Sequence, residues 1–388
     1  MHLRGRVLVA MSGGIDSSVA AIMLHEQGYE VVGLTMKTWS YANSGGSKRE
    51  TGCCSLDSIN DARNVAVELG FPHLILDIRE EFGDYVIDHF TSSYLAGRTP
   101  NPCVMCNTHI KWDALLRRAD KLGCAYIATG HYAKVRQSNG RYVVAKGKDL
   151  RKDQSYALWG VSQVSLGRTL LPLGDLTKVQ IRAFAKQRGL NDLLNKSESY
   201  EICFVPDNDY RGFLKRKFPE LESQVDGGDF VLEDGTVVGK HKGYPFYTVG
   251  QRKGLGIALG YPVYVTAIRK DDNQVVLGKW GALAKDGMYV HQLTMSKYVH
   301  LQEKEVLAIT KVRYNDPGTL ATITQEGDTM KVYFHEKVHA IAPGQAAVFY
   351  EGDEVIGGGW ITQSFLQQHA QHKNRSTLIN MKSHVTIR

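Results

Sequence analysis

Two short stretches carry residues whose types and order could do chemistry. The first is Ser12-Gly13-Gly14-Ile15-Asp16-Ser17-Ser18, which follows an apolar strand pattern and opens a helical one. Paired glycines let the backbone approach an anion closely. A helix N-terminus offers unpaired N–H groups and the positive end of a dipole, and serine hydroxyls can donate to phosphate oxygens. The run lacks a Gly-Lys-Ser/Thr ending, so it is not the kinase-type phosphate loop. A tight turn followed by a Ser or Asp helix cap is the plainer alternative.

The second stretch is Asn101-Pro102-Cys103-Val104-Met105-Cys106-Asn107. Pro102 fixes a turn and the cysteine pair opens the next helix, where a thiol has a lowered pKa and more reactive thiolate. A zinc half-site is another reading; Cys53 and Cys54 would have to complete it, and adjacent ligands suit a tetrahedron poorly. A redox pair lacks the flanking strand of such sites. Cys203 lies in Glu201-Ile202-Cys203-Phe204-Val205, whose apolar neighbours suit a buried structural thiol. Cys124 begins an apolar strand pattern and reads as core.

The elements that must position these residues alternate over the first ~200 positions. Strands are predicted at Arg6 to Met11, Glu30 to Met36, His73 to Ile78 and Ala125 to Thr129. Helices are predicted at Ser17 to Gly28, Cys54 to Gly70, a stretch ending near Ala96, and Asn107 to Leu122. Strand, crossover helix, strand implies an α/β doubly wound parallel sheet, with sites at the carboxyl ends of its strands. After about Phe218 glycine is frequent and short strands dominate: Val306 to Tyr314, Leu320 to Thr324, Met330 to Phe334, Gln345 to Tyr350 and Glu354 to Gly357. These read as a small antiparallel β-barrel. The expected division is a catalytic domain over 1–218, a small mixed domain over 219–283, the barrel over 284–364, and a basic, partly disordered tail over 365–388.

Composition narrows the class. Of 388 residues, 43% are hydrophobic and 22% charged, the balance of an ordinary globular protein rather than a disordered chain. No apolar run is long enough to cross a bilayer, and the N-terminus lacks the layout of a secretion signal, so the expected location is the cytoplasm, with no membrane partner. The net charge is +7, but Lys373, Arg375, Lys382 and Arg388 fall in the last 23 residues, which hold no Asp or Glu. The body carries only about +3, so bulk charge is weak support for a nucleic-acid partner.

The first stretch resembles the SGGxDS loop of the ATP pyrophosphatases, which cleave between the α and β phosphates and place AMP on an oxygen, making it a leaving group. Further blocks select one branch: Met36-Lys37-Thr38-Trp39, Gly97 to Pro102, Cys106-Asn107, Ala128-Thr129-Gly130-His131-Tyr132, Lys152-Asp153-Gln154-Ser155-Tyr156, Ile202-Cys203-Phe204, Gly250 to Gly256, and Pro343-Gly344-Gln345. From residue 6 to about 362 the chain is similar to the tRNA-specific 2-thiouridylases, the MnmA/TrmU family. The resemblance implies an adenine nucleotide α-hydrolase-like sheet domain and ATP-dependent replacement of the wobble uridine 2-oxygen in tRNA by sulfur. It implies ATP with Mg2+, held by Ala10, Met11, Ser12, Gly13, Gly14, Ile15, Asp16, Ser17, Met36 and Gly130. Cys203 would carry a persulfide and Cys106 would be the second catalytic thiol, attacking the persulfide to release the sulfur or closing a disulfide with Cys203 afterwards. Asn101, Pro102 and Cys103 would face the base. His131, Lys152, Asp153, Gln154, Arg313, Tyr314 and Gln345 would contact tRNA, residue types that suit phosphate, stacking and base-edge contacts. A persulfide carrier protein would supply sulfur, and the enzyme would act as a monomer on tRNA.

One departure matters. Well-known family members have Asp where this chain has Cys103, and that Asp has been assigned an acid or base role. A thiol with an ordinary pKa of ~8.5 is a different base. The substitution also opens an alternative in which Cys103, Cys106 and Cys203 hold a [4Fe-4S] cluster with one open iron that delivers sulfide. A further alternative is another adenylating ligase of the superfamily, which would need the phosphate loop but not Cys106 or Cys203.

Overall fold

Val7, Leu8 and Val9 are completely buried, as expected of a strand covered on both faces in a parallel sheet. The computed structural model describes residues 4–39, 55–196, 202–205, 207–301 and 304–367. Cys53, Cys54 and the tail from residue 368 onward lie outside the described residues.

β1 (Arg6–Ala10) leads through α1 (Ile15–Glu26) to β2 (Glu30–Lys37), and α2 (Leu56–Leu69) leads to β3 (His73–Asp77). The Ser55 hydroxyl caps α2 by accepting from Ser58 N at 3.1 Å, and Gly70, at φ 72°, ends it in the left-handed conformation. Next come α3 (Arg79–Phe82), α4 (Asp88–Leu95), α5 (Pro102–Met105) and α6 (Trp112–Lys121). β4 (Tyr126–Ala128) then pairs with β1 on the side away from β2. After the hairpin β5 (Ala133–Ser138) and β6 (Arg141–Lys146), α7 (Gln163–Gly167) precedes β7 (Thr169–Leu170), and α8 (Lys178–Gln187) packs on α1. The sheet order is β3-β2-β1-β4-β7, all parallel. The order reverses between β1 and β4, and the loops leaving those two strands flank the switch point where such sheets bind ligands.

Two predicted helices are interrupted. π-helical turns occupy Gly83–Ile87 and Cys106–Lys111. In the second, Asn107 reaches out of its helix to donate to Ala157 O at 3.0 Å. Such turns often mark functional sites.

A second sheet runs β10-β11-β8-β9, from β8 (Gly228–Leu232), β9 (Val237–His241), β10 (Tyr264–Arg269) and β11 (Gln274–Gly278). The remaining strands are β12 (Ala284–Met295), β13 (Val306–Lys311), β14 (Thr319–Glu326), β15 (Thr329–His339), β16 (Ala346–Glu351) and β17 (Glu354–Phe365). They pair in the order β12-β15-β14-β13-β16-β17, and β17 pairs back with β12. The antiparallel ring is therefore closed and leaves no unpaired edge. β17 continues past Gln363, where the sequence pattern had turned polar. β12 has no counterpart among the predicted strands, because Lys285-Asp286-Gly287 and two register shifts against β17 break its alternation.

The β5–β6 hairpin leaves the parallel-sheet unit and joins the barrel, with Ala145 opposite Glu354. Arg141 fastens it by donating to Ser296 O at 2.7 Å. The two units thus share a hydrogen-bonded seam. Among the described residues, no helix is long and apolar enough to cross a membrane.

Candidate active site

The loop after β1 is shaped by its own serines. Ser12 N donates to Ser17 Oγ at 3.0 Å, and Ser17 Oγ donates to Gly14 O at 3.1 Å. Gly14 caps α1 without a side-chain bond, so the first turn keeps N–H groups for an incoming anion. Gly13 is at φ 69°, and a Cβ there would sit 2.0 Å from Ser58 O in the first turn of α2. The loop therefore lies against α2 backbone at a distance only glycine permits. Thr35 Oγ1 donates to Met11 O at 2.8 Å and ties the loop to β2. Ala10 and Met36 are half-buried and Met11 and Ile15 buried around it.

The loop after β4 closes the other side. A Cβ on Gly130 would come within 2.8 Å of Ser17 N, so this glycine also marks a close backbone approach. Tyr132 OH donates to Asp16 Oδ1 at 2.5 Å, and Lys178 Nζ donates to both Asp16 oxygens at 2.8 Å. Both Asp16 oxygens are thus engaged by Lys178, with Tyr132 sharing one of them; a hard carboxylate of this kind could take Mg2+ only if Lys178 released an oxygen. His131 is packed against Trp112. Desolvation, helped by the nearby Lys111, pushes its pKa down to about 3. It is neutral at neutral pH and can meet RNA only as a hydrogen-bonding group.

The cysteine loop is built by a cap. Asn101 Oδ1 accepts from Val104 N at 3.3 Å, Pro102 is the first helical residue, and Cys103 follows in the first turn. Cys103 is exposed, whereas Cys106 is buried at the start of the π-helical turn. Cys106 shares a packed cluster with Phe204 and Val205, and Ile202 packs against the same cluster. The neighbours of the exposed Cys203 thus belong to or pack on the cluster that holds Cys106. Cys124 is core, as expected, and burial raises its pKa. Among the described residues, no three His, Cys, Asp or Glu side chains are gathered so as to hold a metal.

The barrel docks on this loop. Thr99 N donates to Pro343 O at 2.8 Å, and Gln345 Nε2 donates to Pro100 O at 2.9 Å and Thr99 O at 3.3 Å. Gln345 therefore braces the loop that carries Cys103. Removing its amide leaves two half-buried carbonyls without their donor, a cost of ~1–2 kcal/mol. Gln345→Ala should lower the thermal midpoint by a few degrees, which scanning calorimetry checks.

Other residues expected to touch RNA divide into two sets. The Asp153 carboxylate is buried and accepts from Gly147 N, Ser155 N and Ser155 Oγ. Gln154 Oε1 accepts from Tyr132 N at 2.9 Å. Both hold backbone. Lys152 is half-buried, while Arg313 and Tyr314 are exposed. Tyr314 OH donates to Asp153 O at 3.1 Å. Its pKa is raised by burial first, then by the neighbouring Asp153 and Cys103. Tyr314 and the cysteine loop are therefore neighbours. Lys178 is the residue that sequence reading passed over; nothing in its local pattern points to a loop 162 positions earlier.

Residues 5–207 match the family described as the tRNA methyl transferase HUP domain. Residues 211–279 match its PRC-barrel domain, and residues 285–361 match the aminomethyltransferase beta-barrel domain. The chain is 76% identical to the tRNA-specific 2-thiouridylase MnmA of Amoebophilus asiaticus, over 94% of this chain and 97% of that one. It is 73% identical to the protein of the same name from Cytophaga hutchinsonii, over 95% and 100%. A third, from Salinibacter ruber, is 56% identical over 93% and 95%.

Proposed function

This chain belongs to the tRNA-specific 2-thiouridylase family, and from that premise we propose that it adenylates the wobble uridine 2-oxygen of tRNA and replaces it with sulfur carried on Cys203. The observation that carries this reading is the phosphate-type loop at the switch point of the sheet; the Cys103–Cys106 loop, braced by the barrel, and Phe204 beside Cys203, which shares a buried cluster with Cys106, support it.

ATP is bound by Ala10 to Ser17, Met36 and Gly130, and the Asp16 carboxylate would hold Mg2+ once Lys178 releases one of its oxygens. The uridine leaves the anticodon stack, its 2-oxygen bonds to the α-phosphorus, and pyrophosphate departs. An oxygen bonded to AMP is a far better leaving group than a carbonyl oxygen. The terminal sulfur of the Cys203 persulfide bonds to C2, and AMP leaves with the 2-oxygen. Cys106 thiolate then attacks the Cys203 sulfur; the S–S bond to the transferred sulfur breaks, releasing 2-thiouridine and leaving a Cys106–Cys203 disulfide. An external thiol reduces that disulfide, and a persulfide carrier protein reloads Cys203.

Asn101, Pro102 and Cys103 face the base. Lys152, Arg313 and Tyr314 provide charge and a stacking face, and His131 a neutral hydrogen-bonding group. Asp153, Gln154 and Gln345 act through the backbone they hold. The enzyme works as a monomer on tRNA in the cytoplasm. Mass spectrometry of tRNA nucleosides from cells lacking the protein should show loss of 2-thiouridine derivatives; unchanged levels would contradict the proposal.

A further inference from the structure

We propose that Lys178 is the cation that takes up the charge of departing pyrophosphate, and that Asp16 holds it at the phosphate loop until nucleotide enters. The inference rests on the adenylation reading above and adds a residue to it.

Lys178 is not placed where a surface ion pair would be. Its side chain is only 13% exposed, and Asp16, its partner, is the acidic residue of the loop itself. Ordering and desolvating a lysine is costly, and an ion pair on those terms is poor evidence of a purely stabilising role. α8 has other anchors. Ile181 and Ala185 are completely buried, and the helix starts with a capping box in which Thr177 and Gln180 satisfy one another's backbone.

The root of Lys178 is also fixed. Its backbone N–H donates to Asp149 Oδ2 at 3.0 Å, and Asp149 is itself buried. Beyond that root the four-carbon stem carries a compact point charge suited to phosphate. Tyr132 stands beside it as a second holder. Its hydroxyl shares Asp16 Oδ1, and its ring centroid is 5.9 Å from Nζ. Asp16 therefore keeps one partner when the ammonium leaves, and its freed oxygen is available to a divalent cation.

The step balances without a further reactant. The uracil 2-oxygen bonds to the α-phosphorus, the α-phosphorus bond to the bridging oxygen breaks, and pyrophosphate keeps that electron pair. The N3 proton passes to water. Negative charge grows on the leaving oxygens, where an ammonium acts most strongly on the transition state.

The test uses the full chain with ATP, pyrophosphate and AMP as separate probes in titration calorimetry. Lys178→Met should weaken ATP and pyrophosphate about tenfold or more and leave AMP within about twofold. Lys178→Arg should restore part of the pyrophosphate affinity, and both variants should keep the wild-type thermal midpoint within a few degrees. Equal weakening of all three probes, or of none, would overturn the assignment, since a merely structural ion pair does not distinguish pyrophosphate from AMP. If the unaltered chain binds no ATP, the adenylation reading itself fails, a result separable from failure of Lys178 alone.

Discussion

Cys203→Ser abolishes 2-thiouridine formation, with a fall on the order of 10³-fold or more, while tRNA-dependent pyrophosphate release continues. A serine oxygen carries no persulfide, so the adenylated uridine has no sulfur donor and returns to uridine with release of AMP. The variant should therefore consume ATP without making product. The site makes this substitution clean. Cys203 is exposed, so a hydroxyl in its place strands no polar group, whereas Cys106 is buried in an apolar cluster, where serine costs stability as well as chemistry. Pyrophosphate and nucleoside analyses on one reaction separate the two halves of the cycle. Retained thiolation in Cys203→Ser would remove this residue from the mechanism.

Gly13→Ala should eliminate useful ATP binding, weakening it by about a hundredfold, or ~2.7 kcal/mol. Two costs combine. Gly13 holds φ 69°, a conformation alanine adopts only at a penalty of order 1–2 kcal/mol. The new Cβ would also sit 2.0 Å from Ser58 O, and that oxygen belongs to backbone fixed by the Ser55 cap. The loop must move away from α2, and the Ser12–Ser17 hydrogen bond that shapes it goes with it. Calorimetric ATP titration of Gly13→Ala should show this loss, and binding within about threefold of the unaltered chain would contradict it.

The parts of this molecule legible in the sequence are those whose signal is local. β1 reads as an unbroken apolar run, the glycine pair follows it, and Gly70 ends α2 where a left-handed residue was needed. The β5–β6 hairpin has a strong local signal, since its two-residue turn is Asn139-Gly140, both at positive φ, but it interrupts the strand–helix alternation that dominates that half of the chain. β12 was lost for a different reason: it is bulged, and a bulge shifts the period-two pattern out of phase.

The site shows the same division. The phosphate loop and the cysteine loop were found because each is one contiguous run. The internal roles of Asp153, Gln154 and Gln345 were not, because a polar residue does not declare whether its partner is RNA or a distant backbone group. Lys178 meets Asp16 only when α8 packs on α1. Cys53 and Cys54, unexplained in the sequence, lie outside the described residues.

The central claim is that the uridine 2-oxygen leaves as part of AMP. A single-turnover reaction on tRNA carrying ¹⁸O at the uridine 2-position tests it most directly. The account requires the heavy oxygen to appear in the phosphate of AMP, in step with 2-thiouridine. Unlabelled AMP formed alongside full thiolation would contradict it.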